Sequence, residues 1–260
     1  MDFIDTHVHL GDAQFEADRD LVIARAAESG VTRLVEIADS PAEWGGAIAL
    51  ARARPALRCS LGLHPYYAAD FSEALIEKLR ASARLPEVAA VGEIGLDYVK
   101  GTAPRDIQRA AFEPLLAAAK EWGKPSVIHC RGAYEDLLPI LKNIFPHPPA
   151  AGKYWGVVHC FSAGPKEAEV CRDLGFALGA DGPITYPKNE ELRAAFRLAG
   201  PAAAVLETDS PYLPPKSRRG KRNEPSSIPE IAAKLAEVLE LPLEELARAT
   251  SENAKRLFGL

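Results

Sequence analysis

Several things are scarce in this 260-residue sequence, and each scarcity narrows what the chain is able to do. Its four cysteines, Cys59, Cys130, Cys160 and Cys171, form no Cys-x-x-Cys pair and no dense framework. Disulfide scaffolds and thiolate zinc sites need closer spacing, so the thiols are expected to stay reduced, in a cytoplasmic protein. No apolar run approaches the ~20 residues a membrane span requires. The N-terminal segment MDFIDTHVHL has no basic stretch followed by an apolar one, so no signal peptide is expected. Positive charge is not in excess either. With 31 Lys and Arg against 36 Asp and Glu the formal net charge is −5, which argues against a broadly basic face for duplex nucleic acid but not against a local basic cleft. Low-complexity tracts, long linkers and repeats of solenoid period are absent.

What is present is ordinary globular material, 47% hydrophobic and 26% charged. A chain this long buries about three-quarters of its surface on folding and needs no disulfide or structural metal merely to hold together. Short apolar, β-branched runs alternate with amphipathic stretches throughout. Eight strands are predicted: Phe3–His7, Val31–Ile37, Leu57–Leu61, Val88–Gly92, Ser126–His129, Gly156–His159, Phe176–Gly179 and Ala203–Glu207. Helical patterns fall between them, among them Asp18–Ser29, Pro41–Arg54, Ser72–Ala83, Arg105–Trp122 and Lys166–Leu174, the fourth kinked by Pro114. Gly30, Gly123, Gly175 and Gly200 stand where left-handed helix ends are expected. Two helices, about Ser227–Leu239 and Leu243–Phe258, follow the eighth strand in place of one. Eight βα units predict a single α/β domain over residues 1–260, a TIM-type (β/α)8 barrel with an extra C-terminal helix. A doubly wound sheet is the runner-up, but it would more often carry a glycine-rich phosphate loop after its first strand. Here that strand ends in His-x-His.

Active sites of parallel α/β folds gather at the C-terminal ends of strands. His7 and His9 end the first strand, His64 follows the third, Glu93 the fourth, His129 ends the fifth, His159 the sixth, and Asp209 follows the eighth. Five of six histidines therefore sit where catalytic groups belong, and only His147, in Pro146–Pro149, reads as a solvated loop residue. Residues i and i+2 of a strand face the same way, so His7 and His9 point together while Thr6 and Val8 point away. Two imidazoles on one face share one cation.

Four histidines and two carboxylates exceed what one tetrahedral Zn²⁺ takes. A carboxylate bridges two cations where an imidazole does not, which makes Glu93 the natural bridge. One cation would take His7, His9, Glu93 and Asp209; the other would take Glu93, His129 and His159. Mixed nitrogen and oxygen ligation suits Zn²⁺ or Mn²⁺, with Mg²⁺ as the less natural choice. Two divalent cations about 3.5–4 Å apart would bring the pKa of a water to about 7 and clamp a phosphoryl or acyl centre. Asp209 would ligate and also take the proton of that water.

These segments resemble the TatD family of metal-dependent deoxyribonucleases, within the wider amidohydrolase-like group of barrels. The matching runs are Phe3–Leu10, Gly62–Pro65, Val91–Tyr98, Ile128–Arg131, His159–Ser162, Glu207–Leu213, Arg219–Pro225 and the closing Glu252–Phe258. The resemblance runs end to end. It implies a metal-containing TIM-type barrel and phosphodiester hydrolysis, often as 3′-to-5′ trimming of DNA. A barrel this size presents a pocket and not a long duplex groove, so single-stranded or frayed ends are the expected substrate, with no membrane and no obligate protein partner expected. The resemblance also implies His7, His9, Glu93, His129, His159 and Asp209 as metal ligands, with His64 on the substrate phosphate. Relatives usually follow His-Cys-Arg with an acidic residue and Ala, then often His; here Gly132, Ala133 and Tyr134 stand there.

Five of the seven residues from Lys216 to Arg222 are basic, a local anomaly after strand eight. Barrel phosphate sites often use loops at that end, so Lys221, with Asn223 of the same motif, is taken as a substrate contact. Arg131 is suited to bidentate contact with a phosphate. Tyr66, Tyr67 and Tyr98 offer either packing or base stacking. Cys130 and Cys160 each follow a predicted ligand, so alternation should turn them toward the helix layer. The competing enzyme class is a hydrolase of C–N or C–O bonds in a small molecule. Many such barrels bridge their metals with a modified lysine on strand four, but this chain has Glu93 there and no lysine between Val88 and Tyr98.

Overall fold

Burial on both faces makes the apolar runs into parallel strands. A computed structural model describes all 260 residues. Strands β1 (Phe3–Val8), β2 (Val31–Ala38), β3 (Leu57–Leu61), β4 (Val88–Asp97), β5 (Ser126–Arg131), β6 (Gly156–Val158), β7 (Phe176–Ala180) and β8 (Ala204–Leu206) pair in parallel in chain order. The sheet curls until its edges meet. His7 O accepts from the Asp209 N–H at 3.0 Å, and Ser210 O accepts from the His9 N–H at 2.9 Å. The buried Asp5 carboxylate takes the Thr208 N–H and hydroxyl at 3.0 and 2.6 Å, so the seam is tied by side chains as well.

Helices α1 (Arg19–Glu28), α2 (Trp44–Ala53), α3 (Glu73–Ala83), α4 (Arg105–Glu121), α5 (Tyr134–Ile144), α6 (Pro165–Leu174) and α7 (Glu190–Ala199) cover the outside. Then α8 (Ile228–Leu239) and α9 (Leu243–Phe258) complete the chain, so the extra C-terminal helix is present. The larger apolar core lies between strands and helices, and a smaller one, including Ile4, Val35, Ile37, Val127, Val157 and Val205, lies inside the barrel with Ala254, Leu257 and Phe258 of α9. The Ser251 hydroxyl donates to Asp2 O, and the Asn253 amide donates to Ala204 O. These bonds set α9 across the N-terminal ends of the strands and leave the opposite ends open. No helix is long and apolar enough to cross a membrane.

Differences from the sequence reading have local causes. Helix α4 continues past Pro114, and the carbonyl that loses its partner belongs to Ala110, which is exposed to solvent. All four predicted helix-end glycines have positive φ. Strand β4 runs on through Asp97 where the reading ended it at Gly92, and its register against β5 slips between Val91 and Ile94. Gly95 makes the extension possible: with φ +155°, a Cβ there would lie 1.9 Å from His129 O. That close approach brings Glu93 and Asp97 of β4 alongside His129 of β5.

Candidate metal centre

The open ends of the strands bring all six predicted ligands together. Val8 is buried in the outer core between His7 and His9, whose Nε2 atoms lie 3.2 Å apart. Asp209 enters across the seam with φ +55°, a left-handed conformation that Asp tolerates better than most residues. Its Oδ1 lies 3.3 Å from His9 Nε2, 3.6 Å from His7 Nε2 and 3.7 Å from His159 Nε2. Glu93 stands in the middle. Its Oε2 is 3.3 Å from His7 Nε2, while its Oε1 is 2.6 Å from His129 Nδ1 and 3.7 Å from His64 Nε2.

Three sets of donor atoms can each converge on one cation: His7, His9 and Glu93; His7, His159 and Asp209; His64, Glu93 and His129. The two oxygens of Glu93 thus face different imidazole groups, as a bridge requires. His159 groups differently from the sequence reading. Its ring stacks on His7 with centroids 3.3 Å apart, which sets it beside Asp209, and His64 stands next to Glu93 and His129. The residues fit divalent cations on chemical grounds too. His129 Nε2 lies 3.2 Å from Asp97 Oδ2 and donates there, while its Nδ1 lies 2.6 Å from Glu93 Oε1, where a proton of the imidazolium bridges the two and a bound cation would replace it. Two acceptors at that distance need a proton or a cation between them.

His64 is a different kind of group. Its Nδ1 accepts the Tyr66 N–H at 3.2 Å, so in the neutral ring the proton sits on Nε2, which points at the cluster as a donor. Burial lowers its pKa to about 4, against the charge of Glu93, so it stays neutral. Burial lowers the pKa of His7 as well, whereas for His9 and His129 it is outweighed by ion pairing. Asp39 and Asp209 hold His9 up to about 10, and the hydrogen bonds to Asp97 and Glu93 hold His129 up to about 9. His159 and His7 hold the buried Glu93 carboxyl well below its usual range.

Three supporting carboxylates escaped the sequence reading. Asp97 faces His129 Nε2, Glu207 Oε1 lies 3.0 Å from His159 Nδ1, and Asp39 Oδ2 lies 3.9 Å from His9 Nδ1. Asp97 is four residues beyond Glu93, and Glu207 two before Asp209. Period-two spacing from a recognised ligand was therefore the signal available.

The substrate-side residues separate into two kinds. Arg131 is exposed at the end of β5, and its charge reaches the phenol of Tyr66. Tyr66 sits edge-on to His64 at 4.4 Å and is 42% exposed. Tyr98 instead donates its hydroxyl to Asp136 and lies under Arg105. Lys221 is exposed, whereas Arg222 is bound to Asp18 at 2.7 Å and Glu224 at 3.0 Å, with Arg25 closing the network. Asn223 corrects the expectation of a substrate contact. It is fully buried, its amide donating to Thr208 O and its oxygen accepting the Glu224 N–H and the Ser227 hydroxyl, so it braces the loop from within. Cys130 is buried in the outer core as expected. Cys160 is not turned to that layer: β6 ends at Val158, alternation stops, and the thiol donates to Asp181 at 2.8 Å.

Comparison with known proteins identifies the family and the fold. The family described as TatD related DNase matches residues 4–259. An uncharacterized metal-dependent hydrolase, YabD of Bacillus subtilis, is 35% identical over 256 residues, covering 98% of each chain. The 3′-5′ ssDNA/RNA exonuclease TatD of Pantoea ananatis is 36% identical over 262 residues, covering 98% of this chain and 99% of its own. Among solved structures, the TatD homologue YjjV of Escherichia coli superposes with a TM-score of 0.91 at 32% identity, covering 99% of this chain and 98% of its own.

Proposed function

The chain belongs to the TatD-related DNase family of metal-dependent hydrolases, and from that premise we propose that it trims single-stranded or frayed DNA from the 3′ end. The observation that carries this reading is the position of Glu93, one oxygen toward the His7 side and the other toward His129, in an open site with a neutral N–H donor, His64, at its edge. A relative of similar length named as a 3′-5′ ssDNA/RNA exonuclease supports it.

His7, His9, Glu93, Asp209, His129 and His159 would hold two divalent cations, Zn²⁺ or Mn²⁺ by ligand type. When bound, such ions lower the pKa of a water and offset charge on the phosphoryl group. The chain's own residues do the rest. Asp209 meets the imidazoles through Oδ1, leaving Oδ2 to take the proton of the attacking water. His64 donates from Nε2 to a phosphate oxygen, and Arg131 pairs with a neighbouring phosphate. The unpaired thiols of Cys59, Cys130, Cys160 and Cys171 support a reducing, cytoplasmic setting.

The direct test incubates metal-reconstituted protein with 3′-labelled and 5′-labelled single-stranded DNA. Expected are early release of the 3′ label and a descending ladder from the 5′-labelled strand, both lost in Glu93→Ala and Asp209→Ala. No cleavage, or cleavage unchanged in both variants, would sink the assignment. Turnover of small amides or lactones in its place would favour the rival class.

The basic loop supplies a second expectation. Lys221→Ala should weaken single-stranded DNA binding several-fold and flatten its log–log salt dependence by about 0.7, one phosphate contact. Arg222→Ala should leave that slope alone and lower Tm by about 2–4 °C, corresponding to about 1 kcal/mol for a partly exposed network in a chain of this size. Binding titrations at three salt concentrations, with thermal melts, separate the two; equal slopes for wild type and Lys221→Ala would remove Lys221 from the substrate path.

A further inference from the structure

Among the histidines of the centre, His129 is held differently. Its Nε2 makes an aligned hydrogen bond to Asp97 Oδ2, whereas His159 Nδ1, though 3.0 Å from Glu207, is out of line for one and has no hydrogen-bond partner. Glu207 Oε1 accepts the Cys160 N–H instead. The His7 Nδ1 has no partner at all.

Asp97 itself is fixed on every side. It is fully buried, and its Oδ1 accepts the N–H groups of Val99 at 2.9 Å and Lys100 at 2.7 Å. The side chain of Gln108 on α4 clamps its backbone, accepting from Asp97 N at 2.8 Å and donating to Asp97 O at 2.9 Å. Gly101 leaves room for that clamp, since a Cβ there would lie 2.3 Å from Asp97 O. One oxygen is thus consumed by the turn, and the other is presented to His129 with no freedom to move.

We propose that Asp97 is a positioning residue that selects the tautomer of His129, holding the proton on Nε2 so that the Nδ1 lone pair faces the cation site beside Glu93. This rests on reading the cluster as a metal centre and is independent of DNA as the substrate. A histidine ligates only through an unprotonated nitrogen, and a carboxylate behind the opposite nitrogen determines which one that is. In the metal-free structure a proton fills the 2.6 Å gap between His129 Nδ1 and Glu93 Oε1; a cation would displace that proton, while the one on Nε2 stays against Asp97.

Asp97→Asn reverses the selection without emptying the space. The carboxamide oxygen keeps the Val99 and Lys100 contacts, while its NH₂ group donates to His129 Nε2 and forces the proton onto Nδ1, against Glu93. Asp97→Ala removes both the turn anchor and the selection, leaving the ring to either tautomer. The two roles therefore predict opposite orders. If Asp97 selects the tautomer, Asp97→Asn loses more Zn²⁺ affinity than Asp97→Ala, about 10–100-fold against wild type, although Asp97→Ala is the less heat-stable protein. If Asp97 serves only the turn, Asp97→Ala is the worse in both respects.

The experiment titrates metal-free wild type and both variants with Zn²⁺ in competition with a chromophoric chelator, with thermal melts alongside. Long-range ¹H–¹⁵N spectra of the Zn²⁺-loaded proteins, with His129 assigned from a His129→Gln spectrum, read the protonated nitrogen directly. Expected are Nε2–H in wild type and loss of that signature in Asp97→Asn. Wild-type affinity in Asp97→Asn, or an affinity loss that tracks stability, would overturn the role of Asp97 alone. Failure of wild type to bind Zn²⁺ would overturn the metal centre with it.

Discussion

Glu93→Gln is expected to reduce kcat/KM on single-stranded DNA by at least about 10³-fold and to leave no more than one firmly bound cation per chain. Glu93 is the only side chain that reaches both imidazole groups, through Oε2 to His7 and through Oε1 to His129. A carboxamide offers one oxygen, and its NH₂ must point at one of the two nitrogens, so it blocks whichever group it faces. The charge matters as much as the shape. Glu93 is 3% exposed and stays ionised only because His159, His7 and His129 surround it. Without it the centre loses the anion that offsets two cations in a buried place. Stabilisation of transition-state charge by metal ions amounts to several kcal/mol, and about 4 kcal/mol corresponds to a factor of 10³. Steady-state kinetics with metal analysis of protein purified without chelator reads both quantities, and far-UV circular dichroism establishes that the barrel is intact. A variant within tenfold of wild type that still carried two cations would remove Glu93 from the bridging position.

The barrel and the gathering of the six histidine and carboxylate side chains at its open end were legible in the sequence for the same reason: both depend on strand periodicity. Apolar runs bounded by helices gave the eight parallel strands, and polar residues at the ends of those runs pointed to the site. What escaped depends on where a strand stops. Glu93 reads as the first residue after strand four, because Gly92 and Gly95 interrupt the apolar run. In the fold those glycines admit the backbone of β5, and the strand continues to Asp97. Asp97 therefore became visible as a partner of His129 only once the strand's true length was known. The opposite error hid Cys160, since β6 ends before His159 and the alternation argument no longer applies there. Asn223 illustrates a third limit. A polar residue in a basic loop looks like a ligand contact in one dimension, yet Glu224 and Ser227 fold back on its oxygen and Thr208 O takes its amide. The grouping of His159 with His7 was likewise hidden, because ring stacking across the barrel is a property of the closed sheet.

Asp209 carries the second large effect, and it differs in kind from that of Glu93. Asp209→Asn should lower kcat by about 10²–10⁴-fold, the usual contribution of a positioned general base, while retaining bound metal. The carboxamide keeps an oxygen for the place of Oδ1, which faces His9, His7 and His159 at 3.3, 3.6 and 3.7 Å. It does not keep a basic group in the place of Oδ2. The backbone of the variant is secured by the seam, since the Asp209 N–H is bonded to His7 O, and Asn tolerates φ near +55° as well as Asp does. Geometry is thus held nearly constant while basicity is removed, which is why metal content must be measured beside kcat. Low activity with full metal content assigns Asp209 to proton transfer. Metal lost in proportion to activity assigns it to ligation alone. Near-wild-type kcat would mean that the water gives up its proton elsewhere, and Asp39, half-buried 3.9 Å from His9 Nδ1, would be the next carboxylate to substitute.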